Sequence, residues 1–116
     1  MGDRKQSPET KLVLAMIDYI RKQGHHAWRN NTGARQIKGQ WVQWGAKGSG
    51  DILVVVQPNG RFLSIEVKAG RNKATKNQEE WIAKVKQAGA VAGVARSFAD
   101  VDEFLAEAAL ETPSIF

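Results

Sequence analysis

The chain contains no cysteine, which excludes disulfides and thiolate zinc sites. Nor does any run approach the ~18 apolar residues that a membrane-spanning helix needs. The polar opening lacks the apolar stretch of a signal peptide, so a cytoplasm is the expected compartment. Acids, too, are missing over a long stretch. None lies between Asp18 and Asp51, whereas Arg21, Lys22, Arg29, Arg35, Lys38 and Lys47 all fall there. Lys68, Arg71, Lys73 and Lys76 continue the basic trend until Glu79. Towards the C-terminus the sign reverses, with Asp100, Asp102, Glu103, Glu107 and Glu111 against Arg96 alone. The net charge is +5, and its distribution suits a polyanion drawn to the middle of the chain. A solvated basic surface is the plainer account of the same charges.

What is present centres on Gly48 to Lys68, GSGDILVVVQPNGRFLSIEVK. Asp51 opens an apolar run, Ile52 to Val56, and a second run follows from Phe62 to Lys68. Gln57-Pro58-Asn59-Gly60 between them predicts a turn, and the whole an antiparallel hairpin. Alternation along a strand sets Ser64, Glu66 and Lys68 on one face and Leu63, Ile65 and Val67 on the other. Folding the hairpin brings Asp51 to within about a residue of the position opposite Glu66. Two carboxylates there repel unless a positive charge sits between them. A hard divalent cation with oxygen ligands would serve, with Lys68 beside it to hold a water or an anion. An ordinary hairpin with charges turned to solvent is the alternative. It leaves unexplained why charges stand at the ends of strands apolar enough to be buried.

The pattern G-D…E-V-K resembles the PD-(D/E)xK nuclease superfamily. The short chain, the G-S-G-D approach and a glutamate in the first helix most resemble the stand-alone VRR-NUC (virus-type replication-repair nuclease) family. The resemblance spans roughly residues 7 to 96, with one departure: Gly50 stands where the superfamily motif has proline. It implies a restriction-endonuclease-like fold and a metal-dependent endonuclease acting on DNA. By the same resemblance, Asp51, Glu66 and the Val67 carbonyl hold Mg²⁺ or Mn²⁺, and Lys68 orients or deprotonates the attacking water. Glu9 would bind a second ion or its water shell, and Gln78 would face the nucleophilic water. Stand-alone members of the family are homodimers that cut four-way DNA junctions. Holliday-junction resolution, a homodimer and DNA repair in a bacterial cell or phage-infected host are therefore the implied setting.

The whole chain, 1–116, reads as one domain with a single core and flexible tails at 1–6 and 112–116. Ser7-Pro8-Glu9 is a helix start with serine as N-cap, and the helix should run to about Gln23 and stop at Gly24. Its apolar stripe holds Val13, Met16, Ile17 and Ile20, and Glu9 falls on that stripe. Complementing the helix dipole is the modest account of Glu9; reaching the metal site is the sharper one. His25 to Asn31 reads as a short strand with Ala27 and Trp28 partly buried. His25 and His26 would point to opposite faces, which suits surface or nucleic-acid contacts and not joint ligation. The arrangement of an HNH nuclease is absent.

Thr32 to Ser49 reads as irregular, with Gly33, Gly39, Gly45 and Gly48 spaced through it. Its tryptophans, Trp41 and Trp44, fit core packing, a grip on a nucleic-acid backbone with Arg29, Arg35, Lys38 and Lys47, or a subunit contact. Arg71, Lys73 and Lys76 form a second basic stretch after the hairpin. Thr75 to Gln78 is a capping box, so Gln78 has a capping explanation besides the one the family implies. The helix it opens should reach Ala88, burying Trp81, Ile82, Val85 and Ala88. Ala90 to Ala95 suits the buried middle of a sheet, and Ser97 or Asp100 caps a last helix. The expected fold is α/β, in the order α-β-β-β-α-β-α, with a mixed four-stranded sheet flanked by helices. The expected function is a Mg²⁺-dependent endonuclease. Its rivals are another PD-(D/E)xK nuclease (flap-cleaving or restriction-like) and a non-catalytic DNA-binding domain.

Overall fold

A computed structural model describes residues 6–110 of the chain. The tails expected at 1–6 and 112–116 lie outside the described residues, Gln6 apart. Helix α1 (Pro8–Lys22) is capped by Ser7, whose side chain accepts from the Thr10 amide, and Gly24 beyond its end has φ +95°. Strand β1 (His26–Arg29) follows, then β2 (Gly33–Ile37) and β3 (Gln40–Trp44). Strands β4 (Ile52–Val56) and β5 (Arg61–Val67) form the expected hairpin, followed by α2 (Lys76–Gln87), β6 (Val91–Ala95) and α3 (Phe98–Ala108).

The main sheet has the order β1-β4-β5-β6, antiparallel except for the β5–β6 pair, which is parallel and joined through α2. It is the mixed four-stranded α/β arrangement expected. Register pairs Ile52 with Ile65 and Val54 with Leu63, and one further step sets Asp51 opposite Glu66. Ile52, Val54, Leu63, Ile65 and Val67 therefore share a face, and they pack with Met16, Ile17 and Ile20 of α1 and Val101 and Leu105 of α3. Tyr19 on α1 donates to Asp102 on α3 at 2.6 Å, holding those two helices side by side. Helix α2 covers the opposite face, where Trp81 donates to Ser64. Because both faces are covered, Ser64 and Glu66 are buried along with the apolar residues of β5.

Four local expectations change. Residues 33–44 are not irregular but a second, two-stranded sheet, in which a turn at Lys38-Gly39 with both φ values positive reverses the chain. Polar residues interrupt any clean alternation there, so the period of a strand was not visible. In α2 nothing is fully buried: Trp81, Ile82 and Val85 are half-buried and Ala88 is exposed. Strand β6 is an edge strand, and its apolar residues are buried by helices and not by a further strand. Trp28 is 42% exposed on β1, partly covered as expected, but His25 precedes that strand. His25 is half-buried, accepts from the Gln57 amide at 3.1 Å, and is pushed below its ordinary pKa by burial. That leaves only His26 at the surface.

Candidate active site

The site lies where β4 begins and β5 ends. Asn30 at the end of β1 fixes the approach, its side-chain amide donating to Ser49 Oγ (2.6 Å) and to the Gly50 carbonyl (2.9 Å). Its backbone amide donates to the Asp51 carbonyl at 2.8 Å. Gly50 is pressed against the partner strand: a Cβ there would stand 2.6 Å from Ser64 Oγ and 2.7 Å from the Ile65 carbonyl oxygen. Its amide donates to Ser64 Oγ at 3.3 Å. A proline has no such hydrogen and does have a Cβ, so the departure from the superfamily motif follows from how closely the two strands approach.

Asp51 is half-buried, and its Oδ2 accepts from the Val67 amide at 2.7 Å. Glu66, 4% exposed, is opposite it. Burial is the main cause that raises the Glu66 pKa, to about 8. The Asp51 charge, and a hydrogen bond the two would share once Glu66 is protonated, add to the shift; Lys68 opposes it and Glu9 adds slightly. Lys68 Nζ is 3.7 Å from Glu66 Oε1. Gln78 Nε2 donates to that same oxygen at 2.7 Å, while Gln78 Oε1 accepts from the Thr75 amide at 2.8 Å. The capping box and the contact with the site are thus one residue's two ends.

Glu9 is brought to the same end of the sheet but not against the pair. Its Oε2 accepts from Asn72 Nδ2 at 3.1 Å, on the loop after β5. Helix α1 covers the face opposite Glu66, so its first turn reaches the rim of the site and not its centre. Among the described residues no three His, Asp or Glu side chains cluster closely enough to hold a metal. The Asp51–Glu66 pair nevertheless suits a hard divalent cation: two carboxylates are held side by side, and a cation between them would reverse the upward shift of Glu66.

The basic residues divide into two groups. Arg29 lines a cleft of about 450 Å³ together with Asp51, Asn30, Asn31 and Thr32, and Arg35, Lys38 and Lys47 lie along or beside β2–β3. Arg71, Lys73 and Lys76 flank the loop into α2. All seven are exposed, and none has a carboxylate partner within ion-pair distance among the described residues. Sequence reasoning missed Asn30, Ser64 and Asn72 as residues that hold the site. Ser64, a lone hydroxyl between apolar neighbours in β5, carried a signal; the two asparagines carried none.

An acid at a strand entrance, faced by E-x-K on the next strand of a mixed sheet flanked by helices, defines a nuclease of the PD-(D/E)xK superfamily. The family model of the VRR-NUC domain matches residues 7–99. The chain belongs to the VRR-NUC family; it is a nuclease, an enzyme whose domain implies DNA as substrate. No curated protein and no solved structure matches the chain.

Proposed function

We propose that the protein is a Mg²⁺-dependent, structure-specific DNA endonuclease that hydrolyses phosphodiester bonds, with Mn²⁺ able to replace Mg²⁺. The observation that carries this reading is the buried Glu66 set against Asp51, with Lys68 and Gln78 both directed at one of its oxygens. Asp51, Glu66 and the Val67 carbonyl would hold the cation, with Glu9 at the rim serving its water shell. Bound there, it would supply Lewis-acid activation of water and charge neutralisation at the scissile phosphate.

The chain's own residues do the remaining work. The Val67 amide fixes Asp51, so the carboxylate does not have to be ordered when substrate arrives. Gln78, anchored on the Thr75 amide, holds Glu66 with one amide hydrogen and has the other to offer to an attacking water. Lys68 orients that water and offsets charge on the phosphate as it grows while it is an ammonium, or takes the water's proton as the neutral amine. Four-way junctions are the substrate proposed from the family resemblance, cut by a homodimer in a cytoplasm. Two sites related by a two-fold axis would cut both strands symmetrically.

The test is cleavage of labelled four-way junction, flap, duplex and single-stranded DNA in Mg²⁺, Mn²⁺ or EDTA, with light scattering for the oligomeric state. Asp51→Asn, Glu66→Gln and Lys68→Ala should each lower the rate at least about a thousandfold, a loss of several kcal/mol of transition-state stabilisation. Wild-type rates in all three variants would sink the proposal. So would EDTA-resistant cleavage.

A further inference from the structure

The β2–β3 hairpin stands apart from the main sheet, and nothing in the proposed chemistry uses it. Its two tryptophans are not equivalent. Trp44 lies over Gly33 on the paired strand, where an added Cβ would come within 2.4 Å of the indole. Ile37 and Val42 share that side of the hairpin, and Trp44 packs over Gly33 there while 38% of it stays exposed. Trp41 falls on the other side, paired across the strands with Gln36, and is 64% exposed. It borders a second cleft, of about 340 Å³, which Trp44 also lines, together with Thr32, Ala34, Gln43 and Lys47. Thr32 also lines the cleft that holds Asp51. The two hollows are therefore neighbours that meet at Thr32, one reaching Asp51 and the other Trp41.

We infer that this is a track for one DNA strand: the strand leaves the carboxylate pair past Arg29 and Thr32, and an unpaired base of it stacks on Trp41. The inference rests on the nuclease reading and adds to it the side chain that would hold an unpaired base beside the cut. Charge favours a nucleic acid as the occupant. No acid lies between Asp18 and Asp51, and Arg29, Arg35, Lys38 and Lys47 are exposed without acidic partners among the described residues. The open face of Trp41, with Lys47 in the same cleft and Lys38 at the turn, offers stacking to a base and neutralisation to the phosphates either side of it, while Arg35 is on the other side of the hairpin. A second copy of the chain docked here about a two-fold axis would instead set this basic patch against the same basic patch.

The experiment measures binding without cleavage: fluorescence anisotropy in EDTA, on an Asp51→Asn background, with and without Trp41→Ala. The DNAs are a blunt duplex, the same duplex with a single-stranded tail, and a four-way junction. Losing one stacked base should weaken tailed or branched DNA about tenfold or more, and blunt duplex less than about twofold. Trp41→Phe should restore most of the affinity, which a misfolded arm would not. Equal affinities with and without Trp41 would overturn the inference, as would failure of the parent to bind any of the DNAs. A fall in mass from dimer to monomer in Trp41→Ala would overturn it too, and give the arm to a second copy. Cleavage of the same DNAs by the wild-type chain in Mg²⁺ is scored separately. Its absence would defeat the nuclease reading and leave the binding comparison intact.

Discussion

Gln78 is constrained at both ends of its side chain. The Thr75 amide can only donate, so the oxygen of Gln78 must face it, and the nitrogen is left for Glu66. Gln78→Glu keeps an oxygen for the cap and replaces the donor to Glu66 with a repelling carboxylate. Helix content should hold while cleavage falls by at least about tenfold, a little over 1 kcal/mol of barrier. Gln78→Ala should also loosen the helix start. Normal cleavage by Gln78→Glu would confine the residue to capping. Glu66 itself supplies a second prediction at this scale. Its folded pKa, about 8, lies above the ordinary 4.5, so the native state holds the proton that the unfolded chain releases between those values. Stability in EDTA should therefore be fully present below about 4.5 and decline as pH rises to about 8. Glu66→Gln should flatten that decline, and Mg²⁺ should stabilise the wild type more at the alkaline end, where the carboxylate is ionised. Chemical denaturation across the pH range reads both, and an unchanged slope in the variant would detach the effect from Glu66.

Between elements, one hydroxyl joins α2 to the hairpin. Ser64 Oγ, on a residue 1% exposed, accepts from Trp81 Nε1 at 2.8 Å and from the Gly50 amide at 3.3 Å. It sets how closely β4 approaches β5 just before Asp51, and it seats the helix that carries Gln78. Ser64→Ala would leave both donors without that acceptor, a destabilisation of roughly 1–3 kcal/mol. The rate should fall as well, because Asp51 and Gln78 are both placed through this contact. Thermal melting and a cleavage assay together check it. A variant as stable and as active as the wild type would show the hydroxyl to be incidental.

Across the whole molecule, charge is sorted by position. The acids of the C-terminal stretch, Asp100, Asp102, Glu103 and Glu107, lie on α3, which packs with α1 on the face away from Glu66. Arg71, Lys73 and Lys76 flank the loop into α2, and Arg35, Lys38 and Lys47 lie along or beside the β2–β3 hairpin. Replacing Arg71, Lys73 and Lys76 with alanine should weaken binding similarly on every sequence. The slope of log affinity against log salt should fall by about 0.9 for each phosphate no longer neutralised. Anisotropy titrations at several salt concentrations measure that slope. If it does not change, the DNA does not cross this loop, and the track along the arm holds the phosphates.

Much of this was legible in the residues alone, because the deciding interactions are local. Ser7-Pro8 and the Thr75–Gln78 box start their helices wherever those helices later pack, and β4–β5 is a hairpin with a short turn. The register that opposes Asp51 to Glu66 follows from that turn, so the heart of the site could be read before any fold was known. Only the tertiary structure decided what depends on elements far apart in the chain. It put α1 and α2 on opposite faces, and so placed Glu9 at the rim on Asn72 while giving Gln78 direct contact with Glu66. It also set the approach of β4 to β5 that requires glycine at position 50, and it turned a glycine-broken stretch into an arm that leaves Trp41 open. Periodicity records which side of a strand or helix a residue is on; which other element waits on that side is settled only when the layers close over the sheet.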